Sequence, residues 1–327
     1  MNKFSKAVLV AVAFFAFQQN ATACDPCALY SVSKLAGHTE NVVTLALSEQ
    51  FTKYKRSNAQ DVRSGEFTRD YSTTQLIGAY DFNERFGVQA SVPFIYRSFD
   101  AVTGFRETDE SETGIGDSSF LLSFSPISVR EADKASVLSL FAGVKVPTGD
   151  SGSLDDALTL SQSPRLNNET HNRHHTVSVG SGTSGRVLTI GTGSTDFLIG
   201  SSLSLRRDKV FLLSSLQYAF RTEGDYDYRF DNDLLWNTGP GVYAVLDDAY
   251  SVAFRLAVNG EHKGKDRFQG ADVEDSQVRN LYVGPEAIFT WRSKMFGELG
   301  LDIPVESRKT STIEPDYRVR FTMGYRF

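Results

Sequence analysis

The last twelve residues restrict the fold of this 327-residue chain more than any other feature. Tyr317, Val319, Phe321, Met323, Tyr325 and Phe327 share one parity, while Arg318, Arg320, Thr322, Gly324 and Arg326 share the other. Successive side chains of a strand point to opposite faces, so one face is apolar and the other cationic or small. The alternation recurs upstream. Leu299, Leu301 and Ile303 oppose Glu298, Gly300 and Asp302; Val252, Phe254 and Leu256 oppose Ala253, Arg255 and Ala257; Val88, Val92 and Phe94 oppose Gln89, Ser91 and Pro93. Isolated charges on so many strands are costly in a packed core. They are natural when the apolar face meets lipid and the polar face meets an aqueous interior.

Composition narrows the alternatives. Beyond the first twenty residues no apolar run approaches the ~18 needed for a spanning helix, and mean hydropathy is −0.26. A helical transporter is excluded. A formal charge of −6 excludes a nucleic-acid partner held by phosphate neutralisation. The reading is an all-β protein, a transmembrane antiparallel up-and-down β-barrel of about twelve strands. These are placed near 42–55, 66–82, 86–99, 114–127, 135–148, 187–206, 209–222, 228–246, 249–263, 277–291, 295–307 and 316–327. Short links alternate with longer polar ones at 56–65, 100–113, 149–186, 223–227, 264–276 and 308–315. Short periplasmic turns and longer external loops follow that rhythm, with both chain ends periplasmic.

The N-terminus sets the compartment. Lys3 and Lys6 precede the apolar run Ala7–Phe17, and Ala21-Thr22-Ala23 has the small residues of a cleavage site, so residues 1–23 read as a signal peptide. Residues 24–40 form a periplasmic segment and 41–327 the barrel. Cys24 and Cys27 are the only cysteines. In an oxidising compartment they read as a small structural disulfide loop, with a redox or metal contact and a lipid anchor as alternatives.

Two resemblances sharpen this. The terminal Tyr325-Arg326-Phe327 resembles the C-terminal signature that the barrel-assembly machinery of bacterial outer membranes recognises, with Phe327 as its key residue. Gly114-Ile115-Gly116-Asp117, Val144-Lys145-Val146-Pro147-Thr148-Gly149-Asp150 and Gly193-Ser194-Thr195-Asp196-Phe197-Leu198-Ile199-Gly200 together resemble the small transporter barrels of the phenol-degradation meta-pathway (MetA) family. This resemblance spans about residues 40–327 and implies a porin-like outer-membrane transporter in a Gram-negative bacterium.

By parity Arg97, Lys145, Arg221, Arg255, Arg318, Arg320 and Arg326 face the lumen, as do Glu286, Glu298, Asp302 and Glu306. Acids on one wall and bases on the next would set up a transverse field; alternatively these charges pair and close the lumen. His171, His174 and His175 lie in the 149–186 loop. They are a weak candidate metal site, set against a solvated or constricting loop. The function expected is a channel or facilitated-diffusion transporter for small solutes, with no catalytic residue and no cofactor. Its surroundings are outer-membrane lipid. The alternatives are a sheath for a periplasmic redox partner docking at Cys24/Cys27 and an outer-membrane lipid hydrolase using His262.

Overall fold

A computed structural model describes residues 41–56, 66–103, 106–155, 188–273, 276–307 and 313–327. Its elements are β1 (Val42–Arg56), β2 (Glu66–Asp81), β3 (Phe86–Thr103), β4 (Arg106–Ile115), β5 (Ser118–Arg130), β6 (Lys134–Val146), β7 (Asp196–Arg207) and β8 (Val210–Phe220), then β9 (Tyr228–Arg229), β10 (Asp233–Leu246), β11 (Tyr250–Lys263), β12 (Arg267–Phe268), β13 (Ala271–Asp272), β14 (Val278–Trp291), β15 (Met295–Ser307) and β16 (Ile313–Arg326). Large-strand neighbours pair antiparallel, and β1 pairs with β16, which closes the sheet. β4 and β5 form one wall strand, since both pair with β3 and are parted only at Gly116-Asp117. The barrel therefore has twelve wall strands. β9, β12 and β13 make a separate three-stranded patch.

The alternation read from the sequence is realised as an apolar outer face. Leu122, Phe94, Leu256, Leu301, Ile303 and Met323 are exposed, whereas the alternate positions Thr73, Gln75, Ser91, Asn259, Glu286 and Asp302 are buried. Water would solvate the second set and hydrocarbon the first. Tight turns at the chain-end side fix the register. Asn83 Oδ1 accepts from the backbone N–H of Arg85 at 2.8 Å and of Phe86 at 3.0 Å. Asp247 Oδ1 does the same for Ala249 and Tyr250, at 2.9 Å each; both are Asx turns. Arg292 and Ser293 are both left-handed, with φ of 49° and 55°, the geometry a two-residue hairpin favours.

Three boundaries differ from the sequence reading. The expected 100–113 loop is mostly strand, because β3 runs to Thr103 and β4 starts at Arg106. On β4, Glu107, Asp109, Glu110 and Glu112 leave no apolar face, so this half of the pairing shows no alternation to read. The strand expected over 187–206 begins only at Asp196. Leu188 and Ile190 mimic a strand, yet both are buried without a ladder, at 6% and 2% exposure. The strand expected over 228–246 is broken into β9 and β10.

Inside the barrel, aromatic rings lie flat against the wall where a cross-strand glycine leaves room. Phe296 faces Gly324 in register, and a Cβ on Gly324 would come within 2.3 Å of the ring. Phe211 and Gly241 repeat the arrangement. Each ring fills the space of the missing side chain instead of projecting toward the axis.

Candidate functional site

Among the described residues, three of the polar systems in the interior bear on a path through the barrel. The first is a buried knot made by the three motifs. Lys145 Nζ contacts Asp117 Oδ2 at 2.5 Å and Asp196 Oδ2 at 2.9 Å, and it donates to Thr192 Oγ1. Arg221 bridges Asp196 at 2.6 Å and Asp233 at 2.5 Å. Asp117 also accepts from the backbone N–H groups of Gly149 at 3.1 Å and Thr192 at 3.0 Å. Gly116 supports the knot, its carbonyl accepting from Thr148 Oγ1 at 2.8 Å. Every charged member is at most 3% exposed, so each carboxylate depends on these partners. The knot ties the stretch 188–195 to the wall beside β4, above the point where β6 ends.

The second is a charge ladder along β11, β14, β15 and β16. Register places Arg255 opposite Glu286, and the two bond at 2.5 Å and 3.1 Å. Glu286 lies opposite Gly300, and Gly300 opposite Arg320. Because Gly300 has no side chain, Arg320 reaches across β15 to Glu286 at 3.0 Å. A Cβ at Gly300 would sit 3.0 Å from Arg320 Nη2 and 3.4 Å from Glu286 Oε2. Arg320 also binds Asp302 at 2.8 Å and 3.0 Å, and Asn259 Nδ2 donates to Asp302 at 3.0 Å. Arg318 completes the ladder through Glu261. Three guanidinium groups thus meet three carboxylates.

The third is a layer of stacked cations and rings. Arg97 lies over Tyr71 at 5.0 Å, Arg318 over Tyr282 at 4.1 Å, and Tyr54 packs on Tyr71 at 5.1 Å. All five side chains are buried. The guanidinium–ring contacts hold the cations against the wall.

Below this layer, among the described residues, lie cavities of 120 Å³ and 100 Å³. Asn237, Arg255 and Glu298 line both. By the ~10–15 Å³ that one water requires, each has room for several. The wall from β5 to β8 contributes Ser123 and Ser202, and the facing wall contributes the ladder.

Parity placed Arg97, Lys145, Arg221, Arg255, Glu286, Asp302 and Arg318 on the inner face, and in the structure all seven are buried. Glu298 and Arg320 border a cavity. Arg326 lies at the mouth, over Phe296 at 4.8 Å. Glu306 is different: it is exposed and faces Arg279 at 3.4 Å. The register shift opposite Leu281/Tyr282 resets its parity. Of the two alternatives, a transverse field and paired charges, the ladder shows pairing: each of its acids meets a base on a nearby strand. Sequence reading missed Asp233, Glu261, Asn237 and Asn259 as partners. It noted Asp117 and Asp196 only inside motifs; a carboxylate on a parity shared with Lys145 or Arg221 was the available signal. Cys24, Cys27, His171, His174 and His175 lie outside the described residues. Phe327 is 65% exposed, and its backbone N–H donates to the Val43 carbonyl at 2.9 Å.

A closed barrel of twelve antiparallel strands, apolar outside and polar within, defines an outer-membrane β-barrel. In particular, the fold is similar to the COG4313 outer membrane channel from Pseudomonas putida F1, with a TM-score of 0.56 at 14% identity over 93% of this chain and 100% of that one. Weaker likenesses are to the translocator domain of the autotransporter NalP from Neisseria meningitidis (TM-score 0.39, 11% identity, 99% and 95% covered) and to a TodX monoaromatic hydrocarbon channel mutant (TM-score 0.39, 9% identity, 94% and 96% covered). No protein-family model and no curated protein matches the chain.

Proposed function

We propose that this barrel is a narrow outer-membrane channel for small solutes, as expected for the MetA-like transporters it resembles. The carrying observation is the pair of cavities that share Asn237, Arg255 and Glu298 inside a closed wall. One wall offers hydroxyls and the other a neutralised charge ladder, so a polar solute finds hydrogen bonds without a deep electrostatic trap. The layer of Arg97, Tyr71, Tyr282 and Arg318 is the constriction above them. The channel named in the Pseudomonas fold neighbour agrees with this reading.

Planar-bilayer conductance of the refolded full chain, with reversal potential under a salt gradient, tests it. Small stable steps are expected. A silent barrel that still migrates as a heat-modifiable fold would overturn the aqueous path. One observation favours a second route for apolar solutes. A 600 Å³ apolar groove on the outer wall, between Val43, Phe120 and Leu122, shares Ala79, Val88, Gln89 and Leu121 with the inner cavity. Uptake of a hydrophobic dye by vesicles holding a silent barrel would select that route.

A further inference from the structure

The apolar belt has a notch. Following the ladder around the outer face, one row reads Leu299, Phe321, Glu49, Thr74, Phe94, and the next reads Leu301, Val319, Phe51, Ser72, Tyr96. Leu299, Phe321, Phe94, Leu301 and Tyr96 are exposed. A carboxylate and two hydroxyls therefore interrupt rows whose other members face lipid. They form one unit: Ser72 Oγ donates to Glu49 Oε1 at 2.6 Å, and Thr74 Oγ1 donates to Oε2. Further toward the loop side, on the same outer face, Lys53 pairs with Asp70 at 3.9 Å and Lys55 with Asp316. These lysines are 38% and 59% exposed, and Phe51 with Tyr317 separates them from the carboxylate.

An ionisable group within a membrane-facing wall is costly and marks a site by default. The two hydroxyls use about half of the acceptor capacity of a carboxylate. Hydrocarbon supplies no donor for the rest. A glycolipid does, where amide-linked hydroxyacyl chains join a phosphorylated sugar: amide N–H and hydroxyl groups sit at the top of the hydrocarbon, with phosphates above. We infer that the outer face of β1 and β2 docks such a glycolipid, the lipid A portion of lipopolysaccharide. Glu49 accepts its amide or hydroxyl donors, and Lys53 and Lys55 take its phosphate. Exposed ion pairs contribute little, so the lysines exchange partners readily. A second copy of this chain fits less well, since a two-fold axis along the membrane normal would set Glu49 against its own copy. The inference rests on the loop side being the external side and is independent of conduction.

The test is native mass spectrometry of the refolded full chain in detergent, after incubation with purified lipid A or with phosphatidylethanolamine. Wild type should retain lipid A and not phosphatidylethanolamine. Glu49→Leu and Lys53→Gln/Lys55→Gln should each lower retention at least fivefold, while Leu216→Ala on the outer face of β8, across the barrel from β1, should not. Heat-modifiable migration checks folding, and Ser72→Ala/Thr74→Ala serves if Glu49→Leu does not fold. Unchanged retention in the folded variants, equal uptake of phosphatidylethanolamine, or a wild-type dimer abolished by Glu49→Leu would each overturn the inference.

Discussion

Replacing Glu286 by Gln probes the ladder at its most connected point. The Glu286 side chain is 1% exposed and holds Arg255 and Arg320 at once. Unit charges about 3 Å apart attract by roughly 5 kcal/mol at an effective dielectric constant near 20. Desolvation of the three groups offsets much of that. Losing the carboxylate leaves Arg255 facing neutral acceptors, among them Asn237 of β10 at 3.0 Å. Breaking one side of a buried pair costs about 3–5 kcal/mol, which is the expected loss of stability. Adding Arg255→Gln should recover most of it, because no uncompensated cation remains beside the new amide. The assay is urea unfolding in lipid vesicles, followed by the fluorescence of Trp236 and Trp291. Glu131→Gln removes the exposed partner of Lys134 and serves as a control that should move nothing measurable. If Glu286→Gln is as mild as that control, or the double variant is worse than the single, the ladder does not carry the interior electrostatics argued above.

Further outcomes follow from the same geometry. Gly300→Val should push Arg320 off Glu286 and toward the lumen, shifting the reversal potential toward anions; an unchanged potential would remove Gly300 as the saddle of the ladder. Gly324→Val should drive Phe296 off the wall, since its ring atoms lie 2.3 and 2.7 Å from the new Cβ, and lower single-channel conductance several-fold; the Ala46 Cβ at 2.9 Å must also give, so heat-modifiable migration is read alongside. Asp117→Asn weakens the knot at Lys145, and about 3 kcal/mol of stability should be lost, read as a lower unfolding midpoint in vesicles. Leu301→Arg places a cation on the lipid-facing row and should cost about 2–4 kcal/mol in vesicle refolding; a neutral result would mean that this face does not meet hydrocarbon.

The wall was legible in the sequence, and so was the fate of most of its side chains. A strict period of two states which residues share a face, and charges on one parity state which face is wet. Strand number followed from the rhythm of short and long links. Where that period fails, reading failed with it. The extension formed by the end of β3 and the mostly charged β4 has no alternating apolar face to mark it, and Leu188 and Ile190 imitate a strand while packing as a buried stretch. A register shift in β15 moved Glu306 to the outside although its count from Asp302 says inside.

Partners are a different matter. Nothing local tells Glu286 that Arg255 lies opposite or that Gly300 lets Arg320 reach over a strand. Nothing local gathers Asp117, Lys145, Asp196, Arg221 and Asp233, drawn from five separate wall strands and their connections, into one knot. The notch at Glu49 is visible in sequence only as one acid among apolar outward positions. Its depth in the belt comes from the rows that β16, β15 and β3 complete. The period of the chain fixes the face of each residue because side-chain direction is a property of the strand itself. Which charge meets which is set by register and closure, properties of strand pairs far apart in sequence, and those only the assembled barrel decides.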